Sequence, residues 1–494
     1  MTSPFAHLEM ALVHEGVRAQ TDLAKFLPVQ EFCPDLNLLM NVFSTYFYAQ
    51  SSKCNRVVFF TDGVFKKVQG SALSVDVVLK AAVSESNIPQ EWVNVSELLK
   101  MSALDFHASV EHLETVAGFL KNCRNSMCVV VGSGSLTDVV KHALFLHEFE
   151  MPFVVLPTAL TVTAFTSSFA VLEESGAKRT RVSRPVDACF WFGPVLQAAP
   201  AAMSRAGYGD LLARFMAYAD WYLSAQLGVA ARYDELAYRL MEPFAVPLKN
   251  AAPGFAQPLL PLKSVEGTAA ALSMAGLAMS VSGETTPLSG YEHVISHALD
   301  YLRLTSHRPL VLHGEQVALG CLSSALSLDF LLQIDEFDPK RFRTAPAEKA
   351  KVLLSQLLDS APFWGEQMFQ LTPQELLARH EALAVAKFTA QELFYEEYEK
   401  KHNKWLSAAQ NFPDFAACWP QIKKHLRSLS MPAPEMEQLL LQSGLPLVPE
   451  NLNPSTTANE YRWAVRFSPF VRARMSIGDF VYWIGEDPAI VAIV

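Results

Sequence analysis

Apolar residues recur along this chain in two textures, and the change between them divides it. From residue 51 to about 190, short continuous apolar runs end in turn residues. Arg56–Phe60 (RVVFF) stops at Thr61-Asp62-Gly63, and Met127–Val131 (MCVVV) breaks at Gly132-Ser133-Gly134-Ser135. Phe153–Leu156 ends in Pro157-Thr158. Runs of this length and β-branched content predict buried strands. A short extended piece is expected around Trp92–Val95, and LTDVVKHALFLHEF after the glycine turn predicts a helix. Strand, glycine turn, helix, strand is the rhythm of a parallel α/β sheet. Residues 1–50 predict a helical extension ending in the aromatic cluster FSTYFY.

Beyond about 190 the period becomes helical. Leu211–Gln226, Ala230–Met241, Thr268–Ser280, Tyr291–Leu304 and Glu315–Leu331 predict helices, and strand-like runs are rare. The expected organisation is an extension (1–50), an α/β nucleotide domain (51–190) and a helical domain (191–494). The stretch at about 335–430 carries charge in blocks, such as Glu396–Lys404 (EEYEKKHNK), and predicts a solvated helical insertion.

Composition narrows the function. Of 494 residues, 50% are hydrophobic and 18% charged, enough to bury a large core. Forty Lys plus Arg against fifty Asp plus Glu leave a net charge of −10, with no basic block of the kind that neutralises nucleic-acid phosphates. Seven cysteines form no CxxC, so a reduced, cytoplasmic setting is expected. The longest uncharged stretch, Met151–Leu172, holds two prolines and six Ser or Thr; it suits a buried strand and polar loop better than a membrane span. The expected partners are a small-molecule substrate and, as one option, a second copy in a homodimer.

Three groups of residues carry candidate chemistry. The turn Gly132–Asp138 lets backbone approach a phosphate, and the helix that follows offers N–H groups and positive dipole. It departs from GxGxxG because its last position is Asp138, and by itself it also reads as a plain tight turn. Asp62 at a strand tip is placed to accept from a ribose, favouring NAD over NADP, or simply to make an Asp-Gly turn. His293 and His297 lie four apart on one helix face; His313 follows at a helix start, and Asp210, flanked by glycines, is expected to open another. A carboxylate with imidazoles from separate helices suits a divalent ion with an open position. His14, His107, His142 and His147 read as structural or exposed.

Taken in order, GSGSLTDVVKHAL, LPTALTVTAFTS, AGYGDLLARFMAYADW, SGYEHVISHALD and HGEQVALG resemble the sn-glycerol-1-phosphate dehydrogenase family, within the dehydroquinate synthase and iron-containing alcohol dehydrogenase superfamily. The tail, SGLPLVPENLNPSTTANEYRWAVRFSPFVRARMSIGDFVYWIG, resembles the bacterial branch. The likeness spans roughly 50–335 and 430–485. It implies a dehydroquinate synthase-like fold: a Rossmann-like α/β domain, then an all-α domain, with the active site in the cleft between. It implies reduction of dihydroxyacetone phosphate to sn-glycerol 1-phosphate by NADH or NADPH with one Zn²⁺ or Ni²⁺. Carried over by position, the metal ligands are Asp210, His293 and His313, and His297 touches substrate. Cofactor contacts fall on Asp62, Gly134, Ser135, Leu136, Thr137, Asp138, Thr158, Thr161 and Ser167. The metal polarises the ketone, the nicotinamide gives hydride, and His297 or a water on the metal protonates the alkoxide.

Two positions depart from the family pattern. Thr163-Ala164 stand where an Asp-Gly pair is usual, and Thr286 stands where an arginine is usual. Losing a carboxylate and a cation weakens recognition of a phosphorylated triose, so a related ketone is also admitted. The rival readings are a retired family member serving as a nucleotide-binding or interaction module, and a dehydroquinate synthase-like cyclase. Thr286 counts against the cyclase, and the intact metal set against the retired member.

Overall fold

The structure is a computed structural model that describes residues 3–174, 177–306, 308–337, 347–361 and 373–492. Six parallel strands form one sheet: β1 (Val29–Cys33), β2 (Arg56–Thr61), β3 (Gln90–Asn94), β4 (Ser126–Gly132), β5 (Phe153–Pro157) and β8 (Ala188–Phe192). Their spatial order is β1-β8-β5-β4-β2-β3. Every residue of β4, β5 and β8 is buried, while the edge strands β1 and β3 are partly exposed. A parallel sheet covered on both faces requires such continuous apolar centres. An antiparallel hairpin, β6 (Phe169–Glu174) with β7 (Ala177–Val182), projects from the chain between β5 and β8.

The expected strands at 56–60, 127–131 and 153–156 are present, as is the extended piece near 92. The expectation of a purely helical extension over 1–50 needs correction. Val29–Cys33 is the edge strand, paired in parallel with Ala188–Phe192. Its two apolar ends, Val29 and Phe32-Cys33, are interrupted by Gln30-Glu31, so the local pattern is weak. The helical remainder includes Leu36–Ala49, which turns Leu39, Phe43 and Phe47 inward.

The chain forms two compact units. The first comprises Met1–Leu211, Glu235–Thr285 and Gln442–Gly444; the second comprises Leu212–Asp234, Thr286–Leu441 and Leu445–Val494. A single boundary near 190 is therefore replaced by a chain that leaves the sheet unit and returns to it. The return is made by the helix Leu262–Ser282. Its Ser273 hydroxyl donates to Gln30 Oε1 of β1 at 2.5 Å, and the Ser273 carbonyl accepts from Thr166 Oγ1 at 2.8 Å. Helical periodicity reveals that a segment is a helix but not which sheet it covers. The helix Ala201–Leu211 also belongs here; at Gly207 an added Cβ would overlap the Leu160 carbonyl, so only glycine lets it pack against the loop after β5.

Among the described residues the second unit has no strand. Its centre is the pair of helices Tyr291–Thr305 and His313–Gln333. The latter is long and apolar enough to cross a membrane by length and composition, but 83% of its apolar window is buried inside the protein. The stretch expected to be a solvated insertion includes residues 338–346 and 362–372, which lie outside the described residues. Beyond residue 389 one face of the helix Pro373–Ala408 is buried rather than solvated. Its Phe394, Tyr398, Lys401 and Trp405 are buried; Phe394 meets Phe467 edge-on, Tyr398 lies tilted against Phe470, and Trp405 stacks on Trp483.

Candidate active site

In the first unit the candidate nucleotide contacts gather at the C-terminal ends of adjacent strands. Phe60 of β2 pairs with Val130 of β4, so Asp62 emerges beside Gly132. Gly132 in turn pairs with Pro157 of β5, beside Thr158. The chain runs from β2 outward to β3, then back to β4 on the other side, which makes the gap between β2 and β4 the topological switch point where open α/β sheets take ligands. The helix Gly134–Leu146 starts there. Its N-cap, Ser133, makes no side-chain cap bond, so the first-turn N–H groups of Gly134, Ser135 and Leu136 are presented without one. Leu136 and Thr137 are buried, which leaves their backbone as what they offer a phosphate. Thr158 N–H donates to Gly132 O at 3.1 Å, pinning the two turns together, and Ser167 is buried in the following loop while Thr161 is half-buried.

The two acidic residues of this set face protein groups. Asp62 accepts from Val64 N–H at 3.0 Å and is ion-paired with Lys66, a nearby cation that sequence reasoning passed over. Asp138 accepts from Val171 N–H at 3.1 Å and pairs with Lys141 at 3.1 Å, and Lys141 also donates to Ser167 O. Burial pushes Asp138 up and Lys141 down, and their mutual attraction opposes both shifts. The Asp138 carboxylate thus anchors the hairpin strand β6 to the helix Gly134–Leu146.

The metal candidates lie where the chain enters the second unit and within it. Asp210 does not open a helix; it sits one residue before the end of Ala201–Leu211. His293 and His297 are on the helix Tyr291–Thr305, and His313 is the first residue of His313–Gln333. The ring centroids of His293 and His313 are 5.1 Å apart, and those of His297 and His313 are 6.0 Å apart. One donor atom each from Asp210, His293 and His313 lies within 4.8 Å of the others. A carboxylate and two imidazoles at that spacing fit one divalent ion.

Neighbouring polar groups determine which nitrogen of each ring carries the proton. His293 Nδ1 is 3.0 Å from Glu292 Oε1, an acceptor when ionised, so Nδ1 carries the proton and Nε2 the lone pair. Ser296 donates to Gln316 Oε1 at 2.6 Å, so its oxygen accepts from His313 Nδ1 at 3.1 Å, which again leaves Nε2 as the lone-pair nitrogen. Gln316 Nε2 continues the chain to Asp300 at 3.1 Å. Such outer partners orient metal-binding imidazoles. Glu292, Ser296 and Gln316 were not singled out from the sequence, although each neighbours a candidate histidine within three residues.

Behind Glu292 lies Asp220. A Cβ at Gly290 would sit 2.9 Å from both Asp220 Oδ2 and Glu292 Oε2, so glycine is required for the two carboxylates to converge there. Burial, reinforced by Glu292, pushes Asp220 well above the usual carboxylate range, and the Ile477 N–H hydrogen-bonds to it. On the other side Arg472 Nη2 is 3.0 Å from His297 Nε2, and Arg474 Nη2 donates to Ser289 Oγ at 2.7 Å. Neither arginine was picked out from the sequence as a site residue.

Residues 48–200 match the family described as iron-containing alcohol dehydrogenase. A glycerol-1-phosphate dehydrogenase (NAD(P)+) of Bacillus subtilis (strain 168) is 32% identical over 221 residues, 43% of this chain and 54% of that protein. The same enzyme of Methanosarcina barkeri is 30% identical over 266 residues, 52% of this chain and 69% of that protein. The chain thus spans about half the length of several of the curated relatives it matches. Among solved structures, an alcohol dehydrogenase from Oenococcus oeni shares the fold, with a TM-score of 0.51 at 14% identity over 93% of this chain and 98% of that one.

Proposed function

This chain belongs to the glycerol-1-phosphate dehydrogenase family, within the iron-containing alcohol dehydrogenases, and on that premise we propose that it is a metal-dependent NAD(P)H oxidoreductase. Its substrate is dihydroxyacetone phosphate, reduced to sn-glycerol 1-phosphate, or a closely related small ketone. The observation that carries this reading is the convergence of Asp210, His293 and His313, with both histidines turned by Glu292 and Ser296 so that Nε2 is the lone-pair atom.

The residues divide the work. Asp210, His293 and His313 hold one Zn²⁺ or Ni²⁺. Gly134, Ser135, Leu136 and Thr137 take the dinucleotide pyrophosphate through backbone N–H groups, flanked by Asp62, Thr158, Thr161 and Ser167. When bound, the ion supplies Lewis acidity toward the ketone oxygen and the dinucleotide supplies hydride. Asp138 serves that half by fixing the helix rather than by touching cofactor. With Arg472 donating to Nε2, a neutral His297 carries its proton on Nδ1, the atom from which it hydrogen-bonds the developing alkoxide while the proton itself comes from water. Thr163 and Thr286 remove a carboxylate and a cation from the family pattern, which supports a shifted ketone preference.

The test is NADH and NADPH oxidation at 340 nm with dihydroxyacetone phosphate, on protein reconstituted with Zn²⁺ or Ni²⁺. Metal-dependent turnover is expected. Absence of turnover across a panel of phosphorylated and plain ketones, with metal and nucleotide bound, would overturn the reading in favour of a retired family member.

A further inference from the structure

The threonine at 286 leaves the turn before the histidine helix without a cation of its own, yet the fold brings two guanidinium groups to the same place from far along the chain. Arg474 reaches Ser289, in the turn that leads into the helix of His293 and His297, and Arg472 reaches His297 itself. Both belong to the short loop Val471–Ser476, and that loop is clamped from several sides. The Ala473 N–H, between the two arginines, donates to Glu397 Oε2 at 2.9 Å. The Ile477 N–H donates to buried Asp220. Ser476 and Asp479 cap the helix Ile477–Trp483 reciprocally, and Asp479 is ion-paired at 2.6 Å with Lys401, which also donates to Pro469 O at 2.6 Å. Lys401 and Asp479 are each 1% exposed.

Buried charges are costly unless each is matched, so a loop tied down by Lys401–Asp479, Asp220 and Glu397 is a built feature. Its products are two half-buried arginines two residues apart, one on His297 and one on the wall beside it. Guanidinium is planar, always charged and forked, which suits a phosphate monoester better than any other side chain. In a protein of net charge −10, an anionic substrate needs such a local field.

We propose that Arg472 and Arg474 form the subsite for the phosphate monoester of the ketone substrate, and that Glu397, from the helix Pro373–Ala408, is its positioning residue. The proposal rests on the oxidoreductase reading above and deepens it: the segment that reads in sequence as a solvated insertion props the loop that carries the substrate's anion site.

The experiment compares kcat/KM for dihydroxyacetone phosphate and plain dihydroxyacetone in metal-loaded wild type, Arg474→Ala, Arg474→Lys, Arg472→Ala and Glu397→Gln. Inorganic phosphate binding is measured in parallel by calorimetry. Loss of one charge-assisted contact should lower the preference for the phosphorylated ketone about 10- to 100-fold in Arg474→Ala and Arg472→Ala. Arg474→Lys should recover part of it, and Glu397→Gln should lower it less. Phosphate affinity should fall in the same order. An unchanged preference in both alanine variants overturns the subsite, as does an equal loss on the two ketones. If wild type turns over neither ketone, the dehydrogenase reading fails separately. Calorimetry then decides: phosphate binding weakened in Arg474→Ala upholds the anion subsite, and binding absent from wild type or unchanged in the variant overturns it.

Discussion

The two units offer a ligand different parts of the chain. In the first, the candidate contacts are backbone groups at the ends of β2, β4 and β5, and the acidic side chains beside them, Asp62 and Asp138, are engaged with Lys66 and Lys141. In the second, the candidate contacts are side chains on helices and a loop, each oriented by another side chain: His293 by Glu292, His313 by Ser296, His297 by Arg472. A site made of strand ends needs only the sheet to form in register. A site made of imidazoles and guanidiniums needs a second layer of polar partners, and each partner is a point of failure.

The strongest way to break that contrast is at His313. His313→Ala should leave almost no ion bound after desalting, as measured by elemental analysis per chain, while nucleotide affinity persists. Metal content equal to wild type would remove the proposed trio. Next comes Lys141, the polar linchpin of the backbone-type site. Lys141→Met strands the buried Asp138 carboxylate and should cost about 3–5 kcal/mol of stability in urea unfolding, and Asp138→Leu added to it should restore most of the loss. A loss under 1 kcal/mol (about the value of a surface pair) would show that this ion pair is dispensable.

Smaller in scale, Glu292→Gln keeps the shape but weakens the acceptor on His293 Nδ1. Metal affinity from competition with a chelator should drop about 10- to 100-fold. No change would mean that the histidine needs no orienting partner. The mildest test concerns Glu460, which caps the helix Ala458–Phe467 through Thr457 and pairs with Arg308 at 2.5 Å. Burial pushes its carboxyl up, but the Thr457 N–H and the Arg308 guanidinium outweigh burial and hold it below its ordinary value of 4.5. A depressed folded-state pKa contributes stability that is present above the unfolded value and lost as pH falls through the folded one. Melting temperature should therefore decline below about pH 4.5 in wild type, and Glu460→Gln should flatten part of that decline. An identical acid limb in the variant would remove Glu460 from the account.

Legibility followed the range of the interactions. The run MCVVV-GSGS-helix was readable because strand, turn and helix start are specified by neighbouring residues, and His293 with His297 was readable through the i,i+4 repeat. The edge strand β1 was not, because its pairing with β8 joins residues 29–33 to 188–192 and its own alternation is broken by Gln30-Glu31. The helix containing EEYEKKHNK looked solvated because its buried stripe, Phe394-Tyr398-Lys401-Trp405, includes a lysine. That lysine is tolerated only because Asp479 meets it. Arg472 and Arg474 gave no signal of their own, since nothing near them in sequence names His297 or Ser289 as their partners.

By itself the sequence determined the fold class, the strand ends at Asp62, Gly132 and Thr158, and the residue types of the candidate metal set. These depend on local conformational preference and on motifs a few residues long. Only the tertiary structure decided that Asp138 serves Lys141 and the hairpin, that residues 235–285 return to the sheet unit, and that the C-terminal arginines stand beside the histidine helix. Each of those outcomes is set by burial, which makes a charged group choose a partner wherever in the chain one is to be found.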